Sequence, residues 1–568
     1  MLPRPFNSAT TTTFLTNGVL NEEELREAKS VLSEAQLRLQ ALDYDIENGL
    51  NSFVNLSERH DLRQFIDDLL VLTAPIRNVP ADIIELMILH ALQTGPGLPV
   101  PLSAQRGMGS HWGLIPTTLN TKKAPWTYAQ VCQAWRRICL HRSLIWSHIS
   151  IIGDHACATG TPKIPYIPEI LTEIFHRAKS QPLTIKIVIP TPEFQWQTTA
   201  LETMLRASWR WGKADLEIHP VLLWSFQHLR FPLLQELHLR SLRDRYTRPT
   251  DTCHLFSLMH APELRSLRLY GFGDLSSAPI PWTQIETFEH SLDCPPAPIL
   301  HRWIQKLTNV TSLHIGTDIS RTPVPDLPYI RLPHLKHLHA SCLSTHPSKD
   351  AITWLILPNL ESAQIYTRSI DRLSACIQKS HCTLTTLYLN SHFSKDFPLV
   401  LSTLSNVTFA SITILKVKEY QDGSQQGGPT SILSSLSKLL IPSFNLITCA
   451  LPNLESLTME TTLHNVSKFS LDYIPHLIAS RWNIPPPHCP PLKRLETFHF
   501  FILGSLDSPH HITETLHRPG ILEMFWREGM DTWIRSTKMF WRMYGGCVVH
   551  AFELVELARE EFDDLAIC

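Results

Sequence analysis

The sequence predicts an α+β multidomain chain: an N-terminal coiled-coil-like helix, a small helical module, and an α/β solenoid of leucine-patterned units. Three observations carry this. Apolar residues recur every seven positions near the start, two short helical segments flank a Gly/Pro/Ser/Thr-rich stretch at 94–123, and one leucine motif recurs across residues 182–520. The length, 568 residues, exceeds what one core supports, so several structural units are expected. Proline (42) outnumbers glycine (21), which suits many short, punctuated elements.

Residues 1–20 are Thr-rich, with Arg4 as their single charge, and read as a disordered leader. Asn21 followed by Glu22, Glu23 and Glu24 is a helix start, with acidic side chains at the positive end of the helix dipole. Leu25, Leu32, Leu39, Ile46 and Phe53 then recur at seven-residue spacing, with Ala28, Ala35, Leu42, Gly49 and Leu56 at the partner positions. This predicts a coiled-coil-like helix to about residue 60 within a helical segment spanning 21–72. Two outcomes are open for its apolar face: packing on this protein's own body, or self-association with another helix through residues 21–60.

Residues 62–72 form a further apolar-periodic segment leading to Pro75. Pro80 suits a helix opening, and Ile83, Ile84, Met87 and Ile88 follow as its apolar residues. The 94–123 stretch reads as a loop insertion. A second helix after Pro125 carries Val131, Trp135 and Ile138, then come Leu144 and Trp146, and residues 147–152 alternate like a strand.

The ordered set Pro75, Ile76, Val79, Pro80, Ile83, Ile84 and Ile88, then Val131, Cys132 and Trp135, then Leu144 and Trp146, resembles an F-box over residues 75–150. It is similar to the variant of large fungal families in which a coiled-coil-like helix precedes the module and a loop splits it. The resemblance implies a small helical module whose apolar side docks on a Skp-type adaptor and, through it, on a cullin. Some of these residues would face the adaptor and others would form the module's own core; the sequence does not separate the two groups.

The leucine motif L-x-x-L-x-L begins at Leu234, Leu264, Val310, Leu335, Leu360, Leu384, Leu454 and Leu495, with poorer copies at Ile285 and Ile412. Starts at 310, 335, 360 and 384 lie about 25 residues apart, a leucine-rich-repeat period. In a short strand alternate residues point the same way, so the second and third apolar positions enter the core together and the residue between them faces outward. Each unit cannot bury its apolar face alone, which predicts stacking into a leucine-rich-repeat-like solenoid over 180–520. Residues 371–378 and 430–440 read as the intervening helices, and 472–500 as the last helix–strand unit. The outward column comprises His238, Arg268, Glu289, His314, His339, Gln364, Tyr388, Lys416, Thr458 and His499. A Ser/Thr-rich column flanks it: Ser266, Thr287, Ser312, Ser362, Thr386, Ser456 and Thr497. This polar ladder, on the expected concave face, is the candidate target-binding surface.

Beyond residue 520 the character changes. Phe525, Trp526, Trp533, Phe540 and Trp541 sit among Arg and Lys, and residues 553–565 form an acidic amphipathic run. The reading is a helical cap or tail over 521–568 that covers the end of the stack.

The remaining chemistry is exclusionary. Lys+Arg (50) and Asp+Glu (52) nearly balance, so no nucleic acid is expected as a partner and no membrane attraction arises. The N-terminus lacks the apolar core of a signal peptide and no stretch is long enough to span a bilayer, so a cytoplasmic or nuclear location is expected. The 12 cysteines show no close CxxC pairs and read as free thiols in a reducing compartment. Phosphate-loop, dinucleotide, zinc-protease and nucleophile-elbow motifs are missing, so no catalytic residue and no cofactor are assigned. His337 and His339 share a strand face, but no Cys or carboxylate sits at a metal-ligand spacing, so no metal is assigned. Together with the resemblance, these readings imply a non-catalytic substrate receptor of a Skp–cullin ubiquitin ligase, with an interaction scaffold of the same architecture as the alternative and an enzyme with an unrecognised site in the repeat region as a third reading.

Overall fold

The computed structural model describes residues 20–48, 53–74, 79–94, 118–119, 121, 124–131, 133–152, 166–189, 195–241, 258, 260–272, 275, 278–291, 297–317, 327–342, 351–391, 397–419, 440, 451–462, 493, 495–503, 531–544 and 547–556. The leader at 1–19, Pro75, Ile76, Cys132, most of the 94–123 insertion and the helices read at 430–439 and 472–480 lie outside them. The fold is mixed α/β, with helices and a large parallel sheet. The chain forms two compact units, residues 1–215 and 216–568.

The first unit opens with α1 (Glu22–Glu47). Asn21 and Glu24 form a reciprocal cap: the Glu24 amide donates to Asn21 Oδ1 and the Asn21 amide to Glu24 Oε2, both at 2.9 Å. α2 (Phe53–Leu72) packs against α1. Ala28 and Ala35 are buried against Leu62, Ile66 and Leu69, flanked by Leu25, Leu32, Leu39 and Phe65. The small residues of the heptad therefore mark where the two helices meet. Packing within the chain, one of the two outcomes left open, is present: α2 covers α1 at Ala28 and Ala35. The expected unbroken helix to residue 60 is corrected: α1 ends at Glu47, and the heptad positions Phe53 and Leu56 belong to α2. Asn48 at the C-cap, followed by Gly49, is the local reason.

α3 (Ala81–Thr94), α4 (Gln133–His141) and α5 (Ser143–Trp146) follow, then β1 (His148–Ile152), α6 (Ile167–Arg177), β2 (Leu183–Ile189), α7 (Gln195–Arg206) and β3 (Trp211–Ile218). β1 pairs in parallel with β2, His148 opposite Thr184. The end of the expected insertion is ordered on β1: the Thr118 amide donates to the Ser150 carbonyl and the Ser150 amide to Thr118 Oγ1, each at 2.8 Å.

The second unit is dominated by parallel strands that follow one another in chain order: β4 (Glu236–Ser241), β5 (Ser266–Tyr270), β6 (Thr287–Ser291), β7 (Ser312–Thr317), β9 (His337–Cys342), β11 (Ser362–Tyr366), β12 (Thr386–Ser391), β13 (Ile414–Glu419), β14 (Ser456–Thr462) and β15 (Thr497–Leu503). The short β8 (Ile330–Arg331) and β10 (Leu355–Ile356) pair separately. α8 (Ala297–Lys306), α9 (Ile370–Ser380) and α10 (Phe397–Leu404) lie between strands in the chain, α9 where the sequence placed it.

Every leucine motif is a strand, including the poorer copies at Ile285 and Ile412. The first position of each copy is buried in the turn before its strand, and the described second and third positions are buried within it. The backbone repeats as strictly. In each unit one carbonyl accepts two successive amides of the next, as Thr311 O does from Lys336 N (2.9 Å) and His337 N (3.0 Å), and Lys336 O from Glu361 N and Ser362 N (both 2.9 Å). Asparagine side chains add rungs: Asn309 Nδ2 donates to Thr283 O, Asn359 Nδ2 to Pro333 O and Asn453 Nδ2 to Ala410 O, each at 2.7 Å. Buried backbone acceptors are thus satisfied unit by unit.

The tail corrects the helical cap expected over 521–568 and the final position given to the 472–500 unit. β16 (Asp531–Tyr544) pairs in parallel with β15, and β17 (Cys547–Glu556) returns antiparallel to β16. Residues 557–568 lie outside the described set. The open edge of β15 offers unpaired backbone groups that a strand satisfies and a helix does not. The signal was legible in the sequence: β-branched and aromatic residues make up half of the 531–544 run and recur in the 547–556 run, and the Gly545-Gly546 pair between the two runs is a hairpin-turn signature.

Candidate functional site

Two surfaces emerge, one on each unit. In the first unit, the structure divides the residues that sequence left mixed. On α3, Ile84 and Ile88 are buried, while Ile83 (43% exposed), Leu86 (60%) and Met87 (43%) lie on another face. Residues three and four apart share a helix face, so 83, 86 and 87 form one stripe and 84 and 88 another. Val131 (57%) and Leu144 (42%) are also exposed, while Ile138, Cys139, Ile145 and Trp146 are buried. Val79 is half-buried, Pro80 exposed, and Trp135 half-buried, its ring edge-on to Tyr128 at 6.1 Å.

A compact anchor holds the second half of the module. The Trp146 indole donates to the Cys139 carbonyl at 2.5 Å and meets Trp126 edge-on at 4.8 Å. The Arg177 guanidinium lies over both rings, 4.5 Å from Trp146 and 4.9 Å from Trp126. Burial pushes the Cys139 thiol up to about 11, against the pull of the Arg177 charge, which suits an inert packing thiol. Cys376 and Cys382 are likewise buried thiols outside any disulfide among the described residues. An Arg142–Glu85 ion pair at 2.8 Å ties α3 to the start of α5.

In the second unit the outward column is a continuous ladder. His238 registers with Arg268, Arg268 with Glu289, Glu289 with His314, and His314 with His339. The column continues through Gln364, Tyr388, Lys416, Thr458 and His499. The flanking Ser/Thr column is in register too; it also contains His337, whose Nδ1 lies 2.8 Å from Ser362 Oγ. Thr458 is the exception to outward exposure, being buried.

The ladder's first half is electrostatically closed on itself. Glu289 accepts from His314 Nδ1 at 2.9 Å and from the Tyr270 hydroxyl, and Arg268 Nε lies 3.5 Å from its second oxygen. Burial raises the carboxyl's pKa, but the His314 and Tyr270 hydrogen bonds and the Arg268 charge together outweigh it and hold Glu289 down at about 2. The bond to Glu289 places the His314 proton on Nδ1. His314 also stacks on His339 with ring centroids 3.7 Å apart, and His238 meets Tyr270 edge-on at 4.9 Å.

Sequence reasoning missed His290. It occupies the third apolar position of the Ile285 copy, is fully buried, and lies 5.2 Å from Trp303 with both ring nitrogens lacking hydrogen-bond partners. Burial, then the neighbouring His314, push its pKa down to about 4, so it is a neutral core side chain. Its signal was there: a polar residue where the motif calls for an aliphatic one.

Among the described residues no group of three His, Cys, Asp or Glu is arranged to hold a metal ion, and no helix is long and apolar enough to cross a membrane. No protein-family model matches the chain, and no curated protein matches it either.

Proposed function

We propose that the chain is a non-catalytic substrate receptor: the helical module docks on a Skp-type adaptor, and through it on a cullin, while the polar ladder of the second unit holds a target protein. The observation that carries this reading is the two-sided module. Its F-box-like residues divide into a buried set (Ile84, Ile88, Trp146) and an exposed apolar set (Ile83, Val131, Leu144) joined by Leu86 and Met87. Large apolar side chains left in water on a small helical module are the composition of a docking face. The F-box resemblance supplies the identity of the partner.

The second unit supports the receptor half. Parallel strands in chain order, each adding one outward residue to a common column, are the arrangement expected of a leucine-rich-repeat-like solenoid. A receptor of this kind works by proximity: it holds target lysines near a charged ubiquitin-conjugating enzyme and needs no reactive group of its own.

Co-purification with Skp tests the reading. Wild-type chain captures Skp; the double variant Ile83→Asp/Leu144→Asp loses capture with its thermal unfolding unchanged, because both positions are solvent-facing. Failure of the wild type to capture Skp, or undiminished capture by the double variant, overturns the ligase assignment and leaves an interaction scaffold.

A further inference from the structure

One charge on the ladder differs from the other strand charges in how it is satisfied. Along the outward rows of the strands, Arg240 faces Glu217 (3.7 Å), Arg268 faces Glu289 (3.5 Å) and Lys418 pairs with Glu460 (2.8 Å). Among the described residues Lys416 has no carboxylate partner: its ammonium lies 5.0 Å from the centre of the Tyr388 ring, and that is its sole interaction there. Tyr388 and Gln364 occupy the two preceding rungs of the same column, and among the described residues neither the Tyr388 hydroxyl nor the Gln364 carboxamide is engaged. All three side chains are half-buried. Neighbouring rungs lie about 4.8 Å apart, so Gln364 and Lys416 each stand one rung from Tyr388, close enough for their long side chains to converge over it.

We propose that Gln364, Tyr388 and Lys416 form a seat for an aspartate or glutamate side chain of the bound target segment. The idea rests on the receptor reading and gives the ladder a preference it otherwise lacks. An ammonium on an aromatic platform, flanked by a hydroxyl and an amide, offers one positive charge and neutral donors. That matches a planar monoanion with two oxygens. A phosphoryl group carries about −1.5 to −2 charge and would exceed the single cation available. The self-satisfied Arg268–Glu289–His314 network supplies no such opening.

Fluorescence anisotropy on the purified full chain, without Skp, tests the seat. The probes are fluorescein-labelled ten-residue peptides of alternating Glu-Thr, Gln-Thr and phosphoserine-Thr. The Glu-Thr peptide binds about tenfold more tightly than Gln-Thr and more tightly than phosphoserine-Thr. Lys416→Met abolishes that preference, while Lys416→Arg and the control Arg268→Met keep it. A preference that survives Lys416→Met, is lost equally in Arg268→Met, or is missing from the wild type overturns the proposal, as does tighter binding of the phosphoserine peptide. Skp capture is read on a different unit, so the two readings fail independently.

Discussion

Replacing His290 by leucine isolates one buried titration. His290 is lowered from 6.5 to about 4 in the folded chain because burial disfavours its charged form. A group whose folded pKa is depressed leaves stability intact above the unfolded value and removes it as pH falls toward the folded value. The window here runs from about pH 6.5 down to about pH 4, within which the unfolded chain binds the extra proton. At pH 5 the linkage amounts to about 2 kcal/mol of lost stability, and at pH 7.5 it is close to zero. Leucine restores the apolar residue that Leu269 and Ile315 supply on the adjacent strands, and it removes two unpartnered ring nitrogens from the core. The variant is therefore at least as stable as wild type at pH 7.5, and its advantage grows by about 2 kcal/mol at pH 5. Urea unfolding followed by tryptophan fluorescence at both pH values measures this, with Trp303 as a neighbouring reporter. Because the comparison is between two chains, the other histidines cancel. Equal losses for wild type and variant between pH 7.5 and pH 5 would refute the reasoning.

Glu289→Gln removes the carboxylate that His314, Tyr270 and Arg268 share, and costs about 1–3 kcal/mol at neutral pH in urea melts. Its depressed pKa places the wild type's extra acid sensitivity between about pH 4.5 and pH 2, and the variant lacks that slope. Trp146→Ala removes a fully buried ring beneath Arg177 and costs about 3–5 kcal/mol, read as loss of the first unit's thermal transition. Gly271→Ala is destabilising by about 1–3 kcal/mol, since Gly271 has φ +73° and an added Cβ would lie 2.7 Å from the Ser241 carbonyl oxygen; an unchanged denaturation midpoint would contradict that geometry.

The ladder was legible because its cause is local. Alternation within a short strand decides which residues face out, and the apolar residue at each motif start marks the turn before the strand, so the column from His238 to His499 follows from the sequence. The ends of the chain were less readable for opposite reasons. Heptad spacing specifies an apolar helix face but not its occupant, and the occupant of α1 proved to be α2 of the same chain. The tail's aromatic and basic residues suggested an amphipathic helix, whereas the open edge of β15 favours strands.

The sequence by itself determined the strand-by-strand periodicity, the outward column and the capped start of α1. Tertiary structure alone decided which apolar residues of the helical module are core and which face water, since Ile83 and Ile84 are chemically identical and differ only in the side of α3 they occupy. It also decided which ladder residues satisfy one another. Charge pairing depends on what the neighbouring strand brings alongside, so Arg268 is held by Glu289 while Lys416, among the described residues, meets an aromatic ring.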